Sequence, residues 1–312
     1  MSADPRTDNI TQHSQLATGR EKLVGHLAMM LFAALIAGSF SIGHLAIPHI
    51  GPAALNALRF FIASIFMGIA VVVILKRAPV MPLNWWHLLI LGILMAAYFV
   101  LMFMALRITS PVATGAVFTL VPFMSALFGW IFLGQITRPT VFISLIIAAI
   151  GSTWMIFRGD INAVFSFDVG RGELIFFVGC ACHAAYAPLV KKFNSGMPVI
   201  EFTFWTLVAI AGCLVIYGFD EIRNTAWLEL PAIVWWAIAY LSLFTTAITF
   251  FLVQFASMRL HATKVLSYGY LTPGIIILIE GIIGHGWVSL SVGIGALVTI
   301  AGLIFLAVAP DG

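Results

Sequence analysis

The sequence predicts an all-α polytopic membrane protein of ten transmembrane helices, arranged as two inverted five-helix repeats. Three observations predict it. First, 62% of the 312 residues are hydrophobic and only 9% are charged, against roughly a quarter charged in a soluble domain. A chain of this size cannot bury so much apolar surface away from water, so the lipid bilayer must be the solvent for much of it. Second, ten apolar stretches succeed one another, near 27–47, 52–75, 86–105, 111–134, 139–157, 172–190, 199–218, 232–256, 265–284 and 288–308. Most approach the ~20 residues that ~30 Å of hydrocarbon requires. Third, marks recur at one offset: Pro122 and Pro273 are 151 residues apart, Gly151 and Gly302 likewise, and Arg107 and Arg259 are 152 apart.

Residues 1–25 are polar and mixed in charge, with no apolar run leading to a cleavage site. They read as a disordered cytoplasmic tail. Residues 26–157 then form a first five-helix repeat, 158–171 a connecting loop, and 172–312 a second repeat. Short connections force successive helices to run antiparallel. Because five is odd, two homologous halves enter the membrane from opposite sides. Such inverted repeats hold a site between them near the midplane. Pro122 and Pro273 stand mid-span, where each removes a backbone donor, and they read as hinges.

Orientation follows from lysine and arginine in the loops. With the N-terminus inside, one face collects Arg6, Arg20, Lys22, Lys76, Arg77, Arg138, Lys191, Lys192, Arg259 and Lys264. The other collects only Arg107, Arg158, Arg171 and Arg223. Both termini are therefore expected in the cytoplasm, with the chain in the inner or plasma membrane. Trp85, Trp86, Trp227 and Trp287 fall near span ends, as interfacial anchors do. A net charge of +3 with no basic stripe excludes a nucleic-acid partner. Cys180, Cys182 and Cys213 lie inside apolar spans without disulfide or metal-ligand spacing, so neither a metal nor a cofactor is expected.

Several segments resemble a known family. AGSFSIGHLAIPHIGPAALNALRFFIAS (37–64), ALRITSPVATGAVFTLVPFMSALFGWIFLGQ (105–135), GELIFFVGCACHAAYAPLVKKF (172–193) and ATKVLSYGYLTPGIIILIEG (262–281) together are similar to EamA-type ten-helix carriers of the drug/metabolite transporter (DMT) superfamily. Departures exist: Ala37 replaces a frequent tryptophan, and Gln135 replaces an acidic residue usual at the end of the fourth helix. The aromatic and polar content resembles that of YddG-type aromatic amino-acid exporters. The resemblance implies that helices one, three, four, six, eight and nine line a cavity, and that net transport is export. In related phosphate-ester carriers, basic residues near the position of Arg259, His261 and Lys264 take phosphates. Here the orientation of the loops accounts for that cluster without a ligand.

Polar residues inside the spans are the candidates for a site. Arg59 and Glu280 are charges at membrane depth, where a charge faces protein, water or a partner. Arg59 reads as a packing arginine, a receptor for a substrate carboxylate, or the partner of Glu280; Glu280 in turn is a candidate for proton coupling. His183, with Tyr186 three residues on, sits at the centre of the sixth span. Ser242, Thr245, Thr246 and Thr249 form a hydroxyl stripe on the eighth. Tyr98, Ser41, Ser125 and Tyr270 complete the substrate-binding set, with interhelical hydrogen bonding as the alternative role for the hydroxyls.

These readings converge on a secondary transporter exporting small metabolites, foremost aromatic or other apolar amino acids, by alternating access. An uncoupled channel, or a drug or nucleotide-sugar carrier, is the alternative. An enzyme is disfavoured because no H-E-x-x-H, G-x-S-x-G or paired intramembrane aspartates occur. No ATP-binding loop occurs either, and Gly151 and Gly302 permit close helix approach within one chain or between two.

Overall fold

The computed structural model describes residues 19–46, 48–106, 108–109, 111–167, 169–194, 196–275, 278 and 290–309, without the side chains of 38–41, 43–45, 103, 106 and 111–113. Among them there is no strand. The first repeat comprises α1 (Gly19–Ala46), α2 (Pro52–Leu75), α3 (Trp85–Leu106), α4 (Pro111–Phe118), α5 (Val121–Leu133) and α6 (Pro139–Ile156). A short α7 (Ile161–Phe165) lies in the connection. The second repeat comprises α8 (Arg171–Phe193), α9 (Val199–Tyr217), the short α10 (Phe219–Asn224), α11 (Ala232–Ser242), α12 (Thr249–Ser257), α13 (Ala262–Ser267) and α14 (Leu290–Val308). Eight helical stretches among the described residues are long and apolar enough to cross a membrane. The remaining two predicted spans are α1 and the ninth, which is described from Ala262 to 275.

Local chemistry sets the breaks. Proline occupies the first turn of α2, α5 and α6, where its missing N–H costs nothing and its fixed φ suits the helix. The fourth span is therefore two helices, parted at Thr119–Leu120 just before Pro122. The eighth span is parted too, by a π-helical turn from Leu243 to Ile248. The ninth narrows to a 3₁₀ turn at Tyr268–Tyr270. α1 begins at Gly19, within the stretch expected as a tail, and residues 1–18 lie outside the described residues. Glu21 in its first turn suits the helix dipole and also pairs with Arg259 at 2.8 Å. The connection at 158–171 is partly helical, since the Asp160 carboxylate caps α7 by accepting from the Asn162 and Ala163 amides at 2.9 and 3.3 Å.

Equivalent helices of the two halves pack against each other. α6 packs along α14 and α2 along α9, and span four meets span nine through α5 and α13. The other contacts come in exchanged pairs: α3 against α8 is matched by α11 and α12 against α1. Both equivalent pairs run antiparallel. Along α6 and α14, Trp154 bonds Ser291 at 3.0 Å, whereas Gly302 lies against Ala148. Along α2 and α9, Ala54 at the start of α2 meets Glu221 just beyond the end of α9 at 2.9 Å. Beyond the far end of α2, Arg77 meets Glu201 in the first turn of α9 at 2.5 Å. The halves are thus inverted. At the α6–α14 crossing a β-carbon on Gly151 would lie 2.6 Å from the Thr299 nitrogen, and one on Gly302 would lie 2.6 Å from the Ala148 nitrogen. Only glycine permits that approach.

Candidate functional site

Where the halves meet, four spans assemble a column of rings. His183 on α8 stacks on Tyr98 of α3, with centroids 4.6 Å apart and planes 22° apart. Its other neighbour is Phe118, the last residue of α4, at 5.8 Å and 26°. Phe176, two turns before His183 on α8, stacks on Phe118 at 6.5 Å and 17°. The ninth span closes the edge of Phe118: a β-carbon at Gly269 would come within 3.1 Å of its Cε1. The column continues from Tyr98 to Phe99 at 5.0 Å and from Phe99 to Phe60 at 5.1 Å. Offset and edge-on ring pairs of this kind are each worth about 0.5–1.5 kcal/mol beyond their area. His183 is only half-buried, yet its Nδ1 is enclosed and has no hydrogen-bond partner among the described residues. The hydroxyl of Ser125, on α5, is likewise enclosed and unpartnered there. Orphaned polar atoms are uncommon inside proteins and mark places where water or a ligand binds.

Arg59 enters from α2. It lies seven residues past Pro52, about 10 Å along the helix. Its Nε donates to the Thr246 hydroxyl, and Nη2 donates to the Thr245 carbonyl at 2.9 Å and hydroxyl at 3.2 Å. Both threonines belong to the π turn, whose displaced hydrogen bonding suits it to accept an outside donor. Phe60 and Phe99 present their faces to the guanidinium at 5.7 and 5.5 Å. No carboxylate pairs with Arg59 among the described residues; Glu280 lies outside them, as does the side chain of Ser41.

Among the described residues, the other predicted substrate contacts are buried. Tyr186 is 1% exposed and accepts from Gln254 Nε2 at 2.7 Å, while Thr203 donates to Gln254 Oε1 at 2.6 Å. That buried chain ties α8, α12 and α9 together. Ser242 donates to the Ile238 carbonyl at 2.6 Å and Thr246 to the Leu241 carbonyl at 2.8 Å, both fully buried. Tyr270 is buried and donates to the Thr119 carbonyl at 2.6 Å, across the break that precedes Pro122. His183, Tyr98 and Arg59 are therefore brought into one region, whereas Tyr186 and Tyr270 hold helices to one another and Ser242 bonds back onto its own helix. Sequence reasoning missed Phe118, Phe176 and Phe99, since phenylalanine is common in lipid-facing positions. It also missed Gln254, whose signal was an amide deep in an apolar span.

At the face carrying Lys76, Arg77, Lys191, Lys192, Arg259 and Lys264, here called the basic end, the helices close up. His26 of α1 bonds the Tyr268 hydroxyl at 2.8 Å, and the Ala262 amide bonds Gln135 at 3.4 Å. Lys264 is buried, with its Nζ donating to the Ala309 carbonyl at 2.6 Å. The residues of α13 are all buried.

An all-helical chain with two antiparallel halves meeting at an aromatic and polar site is a polytopic membrane protein of the inverted-repeat kind. It belongs to the EamA-like transporter family, whose profile matches residues 23–157 and again 170–308. The chain is accordingly a membrane transporter, not an enzyme. It is 24% identical over 282 residues, covering 89% of this chain and 92% of the relative, to a Bacillus subtilis (strain 168) protein named "Uncharacterized transporter YyaM". A crystal structure of a protein 20% identical superposes with a TM-score of 0.72, over 92% of this chain and 98% of its own, and shows the same fold.

Proposed function

We propose that this transporter is a secondary carrier that exports small amphiphilic metabolites, foremost amino acids with aromatic or other bulky apolar side chains. The observation that carries the reading is the Tyr98–His183–Phe118 stack, built from both halves around an unpartnered ring nitrogen. Flat rings beside a few polar atoms suit a ligand with a planar or bulky apolar body better than a multiply charged one. Alternating access fits the antiparallel halves. The breaks beside Pro122 and before Pro273 are the hinges, and the packed basic end is the closed mouth. That end faces the cytoplasm, with both termini on the same side and the chain in the inner or plasma membrane, by the excess of lysine and arginine there.

The test is flux in liposomes. Purified protein should give saturable uptake of labelled phenylalanine or tryptophan, accelerated by unlabelled amino acid on the opposite side. Flux equal to that of empty liposomes across a broad amino-acid panel rejects the substrate class. Unsaturable flux without counterflow identifies a channel instead.

A further inference from the structure

Among the described residues, Arg59 is the only charged side chain set more than one helical turn inside a long apolar span. A charge so placed is costly and needs compensation. The compensation visible is incomplete and one-sided. Nε and Nη2 are held by Thr245 and Thr246, and two phenylalanine rings flank the group, all of them neutral. Nη1 carries no hydrogen bond among the described residues and is not enclosed. The guanidinium is therefore locked in orientation by one edge, with the N–H groups of the other nitrogen left over. A planar cation pinned in this way is prearranged for a carboxylate. Its surroundings lead directly to the ring column: Phe99 flanks Arg59 at 5.5 Å, Tyr98 lies 5.0 Å from Phe99, and His183 lies 4.6 Å from Tyr98.

We propose that Arg59 is the receptor for the carboxylate of a ligand whose apolar body lies toward the Tyr98–His183–Phe118 stack. The inference rests on the proposed site between the halves. It adds that the transported molecule is recognised as an anion at one end, so esters, amides and amines of the same shape are rejected. The π turn of the eighth span belongs to this device, because its threonines fix the plane of the guanidinium.

Matched pairs test it. Wild-type protein in detergent is titrated with phenylalanine and phenylalaninamide, leucine and leucinamide, and benzoate and benzamide. The wild type should bind carboxylates about tenfold or more tighter than amides, the size expected of a charge-assisted contact. R59Q should bind both members of each pair alike, and R59K should keep part of the preference. Full preference in R59Q, or none in the wild type for any pair, overturns the proposal. Preference confined to benzoate keeps the carboxylate receptor and removes the amino-acid reading. Should R59Q fail to fold, native protein is treated with phenylglyoxal and Arg59 adducts are followed by mass spectrometry. Carboxylate ligands should slow that modification and amides should not; equal rates overturn the proposal.

Discussion

Tyr270 and Thr119, joined by a hydrogen bond of 2.6 Å, stand 151 residues apart. The hydroxyl of Thr299 lies 3.5 Å from the carbonyl of Ala148, again across 151 residues. That is also the spacing of Pro122 from Pro273 and of Gly151 from Gly302. A residue can touch its own counterpart only where a two-fold axis passes between them. Two such contacts, one between spans four and nine and one between α6 and α14, mark the line about which the halves are exchanged. The duplication is therefore an element of the packing, not only a memory in the sequence.

The close crossing on that line predicts equal sensitivity of two distant glycines. An alanine at 151 meets the Thr299 nitrogen and the Gly295 carbonyl, both at 2.6 Å; an alanine at 302 meets the Ala148 nitrogen at the same distance. The obstacles are backbone, so neither helix yields by a rotamer change. G151A and G302A should each destabilise by about 1–3 kcal/mol. The double variant should lose less than their sum, because separating α6 from α14 once relieves both clashes. Thermal unfolding in detergent measures all three.

His183 makes its prediction through its stacking. H183A removes the ring held between Tyr98 and Phe118 and should raise the KM of transport about tenfold, the size of one to two ring contacts. H183F restores the stack but not the polar nitrogen. It should fold like the wild type and recover only part of the affinity, which separates packing from recognition. Saturable uptake in liposomes provides the readout.

The repeats were legible in the sequence because prolines and glycines at a fixed offset are constraints that drift slowly in otherwise interchangeable apolar text. His183, Tyr98 and Arg59 were legible because a polar group in lipid needs a reason. The column around them was not. Phe118 and Phe176 differ from lipid-facing phenylalanines only in what lies opposite, and opposition across helices has no local signature. The π turn escaped for a related reason: one extra residue in a helix alters no composition, yet it turns Gln254 toward Tyr186 and offers the Thr245 carbonyl to Arg59. Arg77 reads from the sequence as a loop charge, and nothing there pairs it with Glu201. Their 2.5 Å pairing became visible only once α2 and α9 were seen to lie antiparallel.

In the proposed alternating-access cycle the basic end is the closed mouth, and opening it must break the contacts that pack it. The His26–Tyr268 bond at 2.8 Å and the Glu21–Arg259 pair at 2.8 Å both join α1 to the segment that follows α12. Removing one buried hydrogen bond by Y268F should weaken closure by about 1 kcal/mol and raise the open population about fivefold. E21Q should do less, because that pair is exposed and screened. A cysteine at residue 266, buried in the closed state, reports the shift as faster labelling by a membrane-permeant maleimide.

The Tyr186–Gln254–Thr203 chain yields the last prediction, one in which two changes do less harm than one. Gln254 is fully buried on α12 and spends its amide on both neighbours, donating to the Tyr186 phenol and accepting from Thr203. Q254L leaves the phenol enclosed without that partner, while the single Thr203 hydroxyl proton, shared with Gln254 in the wild type, is free to go wholly to the Val199 carbonyl at 2.8 Å. The loss should fall at about 0.6–2 kcal/mol, the range for interhelical hydrogen bonds in membranes. Adding Y186F removes the stranded hydroxyl and keeps the ring against Phe250, whose centroid is 5.8 Å away. An unmade buried bond costs more than an absent one, so Y186F/Q254L should recover most of the stability lost in Q254L. Were Tyr186 instead a ligand contact, the double variant would be stable yet weaker in substrate binding than Q254L alone. Unfolding temperature and KM, measured on the same three proteins, separate the two roles.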